Sequence, residues 1–493
     1  MSRRAFNNTA ASLLAALHRD DDKTALRLVA DGAPLTTVDS AGNSAWHLAA
    51  HLGKQDVLQL MAQMDGSIVN SIGADGTAMG AAAARGDVAT MRMLAALGAS
   101  LDAVDGSGQT PMMRALTAQE YGALSVLMRM GARVEAVNGD HKNILHLAAE
   151  MNDTAALRVL LAEGAALHVQ SRMPDAAKLT PLHAAVKAGA EEAAQLLLRA
   201  GASPNIPDAL NMSPLHSAAE RNDAGMIYTL VCEGHADIDA AVNAAGYTAL
   251  HSAVIHKCAE AMRALCDLGA DAHRMDSDKR TPLHIAGWNG FLSGVRYFME
   301  NVAAETDDDA ALQSRTQALY DAIFYDHAEV ADYLIASGKV DMNRPTRSGE
   351  YALQAALQNG KSDMAEKIIA AGADVNVKNT AGMSPLLLCA MRNLVVPATL
   401  LLQKGANPNL HPAGEPPLHA AITGDYPFMV SLLLAHGANP LQTDSFGRAA
   451  IDVARQKGRG ASMVGDIEQA QQRFANMTKD APPKSAPAPK SGP

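Results

Sequence analysis

The sequence predicts an all-α solenoid in which paired helices stack along the chain. Three observations carry this expectation. A short segment recurs at a nearly constant spacing. A second landmark keeps step with it. Finally, 48% of the 493 residues are apolar but only 4% are aromatic, a balance that suits small, closely packed helices better than a sandwich of strands.

The recurring segment is clearest at Thr180 to His183, TPLH. Variants of it end at His216, His251, His284 and His419, with NILH ending at His146 and SAWH at His47. In the same register Leu14, Gly80, Met113, Tyr320, Gln354, Leu387 and Asp452 take the place of the histidine. The fourteen anchors lie 33, 33, 33, 33, 37, 33, 35, 33, 36, 34, 33, 32 and 33 residues apart. Eighteen residues after most of them stands a glycine, as at Gly98, Gly131, Gly164, Gly201, Gly234, Gly269, Gly372, Gly405 and Gly437.

Each part of the unit has a physical reason. In Thr180 to Asn205, Thr180 is a good N-cap, because its hydroxyl can accept from an orphan amide. Pro181 suits the first helical position. Leu182 is core, and the small Ala184 and Ala185 let the paired helix approach. Gly189 can end the first helix in a left-handed conformation. Ala193, Leu196, Leu197 and Leu198 give the second helix its apolar face, and Gly201 can cap that helix. One unit closes no core of its own, so stability is nearly a sum of unit and neighbour terms.

The unit length and motif resemble those of the ankyrin repeat family, whose ~33-residue unit carries T-P-L-H-x-A. The resemblance runs from about Thr9 to Ala470. It implies stacked helix-turn-helix units with β-turn or hairpin connections. It also implies that the motif histidines hydrogen-bond within and between neighbouring units, so Thr180, His183, His216, His251, His284 and His419 are expected to be structural. A histidine copied in one fixed register is not a catalytic one.

The layout expected is nine repeats over 1–304, with an N-terminal cap in 1–36, and five more over 305–473 after an irregular insert. A Pro-, Ala- and Lys-rich tail over 474–493 is expected to be disordered. Long junctions precede His183, His251 and Tyr320. The last, at 302–316, lacks the expected Gly-Ala; it reads either as a drifted turn with a solvated acidic run or as a flexible joint or projecting finger. Gly80, inside a first helix, marks a soft spot, since such a glycine costs ~1 kcal/mol against alanine.

No nucleotide-binding, zinc-protease, hydrolase or kinase motif occurs. His256, Cys232, Cys258 and Cys266 match no zinc spacing; Cys232 and Cys266 read as buried small hydrophobes. Asp307, Asp308 and Asp309 read as a solvated run. No catalytic residue, metal or cofactor is expected. The net charge of −11 comes without a basic stripe, which argues against a nucleic-acid partner. No apolar run nears the ~20 residues that span a bilayer. Four unpaired-looking cysteines suggest reduced thiols in the cytoplasm. The N-terminal stretch reads as an amphipathic helix rather than a signal peptide.

The resemblance also implies a partner face on the concave side, built from turn tips and the residues four and five places after each anchor. The first seven such pairs look like ordinary solvated surface. Ile255, Trp288, Phe324 and Tyr325 do not, and Tyr247 and Arg280 precede their motifs on the same side. Aromatics and arginine are enriched in binding hot spots. The other reading is that these residues pack against the insert and fill a gap. Trp46 replaces a motif leucine and is core. The expected function is a monomeric, non-enzymatic scaffold or adaptor that binds another protein. A secreted bacterial effector using the same groove in a host cell, without an identified signal, is a second reading. An enzyme or small-ligand site in 276–325 is a third.

Overall fold

A computed structural model describes residues 3–74, 76–168, 178–241, 245–302, 309–410 and 415–479. The chain forms two compact units, one of Met1–Asp271 with Asp276–Asp278, the other of Ala272–Met275 with Lys279–Pro493. Each is a stack of antiparallel helix pairs, with almost no strand among the described residues.

In the first unit the pair Pro181–Ala188 and Glu191–Arg199 is representative. Pro181 occupies the first turn, and Thr180 Oγ1 accepts from the His183 amide. Gly189 ends the helix at φ 74°. Leu182, Ala185, Val186, Ala193, Ala194 and Leu197 are buried. This first helix packs between Ile144–Glu150 and Pro214–Glu220, so each alanine-lined face is covered only by its neighbours. The connections are tight turns closed by acidic or amide side chains. Asp208 Oδ1, for example, accepts from the amides of Leu210 and Met212, both at 2.9 Å. One connection is a short hairpin, with Ile72–Gly73 pairing with Gly76–Thr77.

The motif histidines tie successive turns together. The Thr180 amide and the Thr180 hydroxyl lie 3.2 and 2.8 Å from His183 Nδ1. An amide can only donate, so Nδ1 is the acceptor and Nε2 carries the proton. Nε2 then donates to the Met212 carbonyl of the next unit at 3.2 Å. His216 repeats this with Ser213 at 2.8 Å and the Tyr247 carbonyl at 3.2 Å. His251 takes Thr248 Oγ1 at 2.8 Å, and the Thr281 amide donates to His284 at 3.1 Å. Burial pushes both His183 and His216 down to about 4, which keeps them neutral at ordinary pH. His419 bonds the Arg448 carbonyl at 3.0 Å, but its cap is Pro416, which has neither amide hydrogen nor hydroxyl. Its Nδ1 has no partner among the described residues.

The second unit runs from Pro282–Trp288 to Ala461–Lys479. Gln354 takes the histidine place here and performs half of its task, donating from Nε2 to the Met383 carbonyl at 2.8 Å.

Several expectations need adjusting. Gly234 is not the left-handed cap: its φ is −91°, and His235 takes that role at φ 55°. The cause is a π-turn over Thr229–Glu233, which fits one extra residue into the helix end. A second π-turn, Phe298–Val302, stands before the other long junction in the second unit. Cys232 is exposed rather than core, because it stands at the outward place that Arg199 takes in the preceding unit. Cys266 is half-buried, its thiol pushed up to about 12 by burial. The expected boundary near 305, together with Asp307 and Asp308, lies outside the described residues. From Asp309 onward the segment read as irregular is part of a 16-residue helix, Asp309–Phe324, with Ala311, Ser314, Arg315 and Thr316 buried. The last helix runs to Lys479, into the segment expected to be tail, and 480–493 lie outside the described residues. Around Gly80 the first helix, Ala78–Ala84, forms normally, with Thr77 Oγ1 accepting the Gly80 amide at 3.0 Å.

Candidate protein-binding face

The face begins with how first-helix ends are held. Each leaves carbonyls that no helical amide can reach. In this chain a side chain seven places after the next anchor satisfies them. His327 Nε2 bonds the Trp288 carbonyl at 3.0 Å, and Lys361 Nζ bonds the Ile323 carbonyl at 2.6 Å. Arg459 bonds the Ile422 carbonyl at 2.9 Å, and in the first unit Cys258 Sγ reaches the Glu220 carbonyl at 3.4 Å. Asn359 adds a bond to the Phe324 carbonyl at 3.2 Å. The residues at these helix ends are therefore fixed by their neighbours before any partner arrives.

In the second unit this places three aromatic rings side by side. Trp288 is 38% exposed, Phe324 45% and Tyr325 50%. The Trp288 and Tyr325 rings meet edge to face, with centroids 5.9 Å apart. Phe324 and Tyr325 do the same at 5.2 Å, and Tyr320 stacks on Phe324 at 6.0 Å. Such pairings are favourable in themselves, so the rings form one continuous shelf. Asp321 lies one turn before Tyr325 on the same helix face. Gln317 Nε2 donates to its Oδ1 at 3.0 Å. Burial pushes the Asp321 carboxyl up to about 6, against the smaller lowering effects of Gln317 and the Arg280 charge. Arg280 is half-buried. A small cavity on the insert side of the same repeat is lined by other residues, among them Leu283, Phe298, Ala311 and Ser314.

In the first unit Tyr247 and Ile255 are half-buried. They line a groove of about 400 Å³ together with Leu210, Met212, Glu220 and His256. The Tyr247 ring stacks on the motif His251 at 6.0 Å, and its carbonyl serves His216, so it is also part of the turn framework. Sequence reasoning passed over Leu210, which is 72% exposed at a turn tip. The signal was an apolar residue inside an Asp-closed turn that is otherwise polar. It also passed over Asp321, whose place one residue after an anchor faces the groove only once the helices are stacked. Among the described residues no group of three or more His, Cys, Asp or Glu is gathered to hold a metal ion.

The comparisons match the same repeats. The family described as "Ankyrin repeats (3 copies)" matches residues 118–208, 200–276, 268–346 and 353–444. The chain is 29% identical to Rabankyrin-5 of Homo sapiens over 261 residues, 44% of this chain and 22% of that protein. It is 28% identical to the B-cell lymphoma 3 protein homolog of Mus musculus over 220 residues, 44% of this chain and 41% of that one. A probable E3 ubiquitin-protein ligase, XBOS34 of Oryza sativa subsp. japonica, is 33% identical over 116 residues, 23% of each chain. In each case the match spans less than half of the relative's own length. With the family's repeats matched over most of its length, the chain belongs to the ankyrin-repeat family.

Proposed function

We propose that the chain is a non-enzymatic scaffold or adaptor that holds a partner protein against the concave face of its repeats. Ankyrin repeats are a protein–protein interaction module, and the finer reading rests on the aromatic shelf. Trp288, Phe324 and Tyr325 are large, exposed and locked in place, and Trp and Tyr are enriched in binding hot spots. A surface fixed beforehand loses little entropy on binding. A further candidate surface, the groove of Tyr247 and Ile255, belongs to the first unit, and Arg280 belongs to the second. The acidic net charge supports a protein rather than a nucleic acid as partner. No helix among the described residues is long and apolar enough to cross a membrane. All four cysteines are free thiols, which supports a cytoplasmic setting.

Affinity capture with quantitative mass spectrometry tests the reading. Wild type and a Trp288→Ala/Phe324→Ala variant are compared at matched folded concentration. The expected result is a partner retained by wild type and lost from the variant. An identical set of captured proteins from both would overturn the placement of the interface.

A further inference from the structure

The shelf is not uniformly apolar. Asp321, Phe324 and Tyr325 share one helix face, at i, i+3 and i+4, and Trp288 of the preceding repeat lies against Tyr325. Behind the rings the field is negative. The Tyr320 phenol is pushed up by burial and then by the charges of Glu350 and Asp321. Among the described residues no cation forms an ion pair with Asp321, and Arg280 acts on it only as a more distant charge. Aromatic faces and a carboxylate that has lost part of its water both attract a cation.

The geometry selects among cations. Ring centroids of 5.2 to 6.0 Å mean that the rings touch one another. Rings packed this closely leave no room between them for a further group. What remains available is their outward surface, beside a carboxylate. A planar guanidinium fits that arrangement, since it lies flat on a ring and offers paired donors to a carboxylate. We propose that Trp288, Phe324, Tyr325 and Asp321 seat an arginine side chain carried by the partner protein. The inference rests on the concave-face reading above and names the partner chemistry for it.

Trp288 itself is the reporter. Of the two tryptophans, Trp46 is fully buried, so a ligand at the shelf alters the emission of Trp288, and Trp288→Phe supplies the control. The probes are N-acetyl-arginine amide, N-acetyl-lysine amide and N-acetyl-trimethyllysine amide, titrated into the full chain. The arginine amide is expected to saturate in the millimolar range, as suits so small a ligand. It should bind at least threefold more tightly than the lysine amide and more tightly than trimethyllysine. Asp321→Asn should weaken it at least fivefold while the melting temperature holds. Absence of saturable change, equal response to all three probes, tighter binding of trimethyllysine, or indifference to Asp321→Asn would each overturn the assignment. None of these would overturn the concave-face reading, which falls only if a captured partner ignores the Trp288→Ala/Phe324→Ala variant.

Discussion

At the scale of single residues, the motif histidines carry the most testable energetics. His183 is fully buried and joins the turn that caps its own helix to the turn of the next unit. His183→Ala strands a carbonyl and an amide, so a loss of ~1–3 kcal/mol is expected in chemical denaturation. His183→Gln should recover part of it, because Gln354 already makes the carbonyl bond natively. An equal loss for both variants would mean that volume rather than hydrogen bonding sets the cost. The same residues give a pH dependence. In the folded chain His183 and His216 titrate near 4, against ~6.5 when unfolded. The unfolded chain therefore binds more protons below 6.5. Stability from these groups is present above pH 6.5 and falls as the pH drops from 6.5 toward 4. Denaturation midpoints measured across that window check the sign. His419 offers the converse experiment: Pro416→Thr would supply the missing cap and should stabilise by about 1 kcal/mol. The histidine register was legible in the sequence, since it is fixed by spacing. The substitute role of Gln354 was not, because its reach to the next carbonyl exists only in the stack.

At the scale of elements, regular helix pairs follow directly from local signals: Thr or Ser, then Pro, then alternating small and large apolar residues. The disturbed segment shows where those signals stop short. Ala311, Ala318, Leu319, Ala322 and Ile323 keep a helical period and are all buried. The missing Gly-Ala landmark nevertheless made the segment look irregular. Arg315 is buried as well and donates to the Lys339 carbonyl at 3.3 Å, a contact between positions 24 apart that no local pattern announces. Gly234 failed for a related reason, since a π-turn shifts the cap by one residue without altering the spacing to the glycine. Limited proteolysis tests this element. The helix Asp309–Phe324 is expected to resist cleavage as well as the regular pairs do. Early cleavage inside that helix, with the regular pair around His183 intact, would count against it.

At the scale of the whole molecule, stacked units couple mainly to their neighbours, so a long array need not unfold in one step. The chain carries a tryptophan in each compact unit, Trp46 in one and Trp288 in the other. Urea titrations of Trp46→Phe and Trp288→Phe, followed by the remaining fluorophore and by circular dichroism, are expected to give transitions that do not coincide. A single shared midpoint would mean one cooperative block. Most of the fold was readable because it is repeated. The candidate face was readable only as a place where aromatic residues replace charge; which groups it gathers, Asp321 above all, depended on packing across repeats. The central claim is that those rings serve a partner rather than the fold, and the single variant Trp288→Ala tests it most directly. Its affinity for a captured partner and its melting temperature are measured on the same preparation. The account predicts at least about tenfold weaker binding, roughly 1.4 kcal/mol, with a small shift in melting. A sharply lowered melt with unchanged affinity of the folded protein, as for a buried large-to-small change, would contradict it.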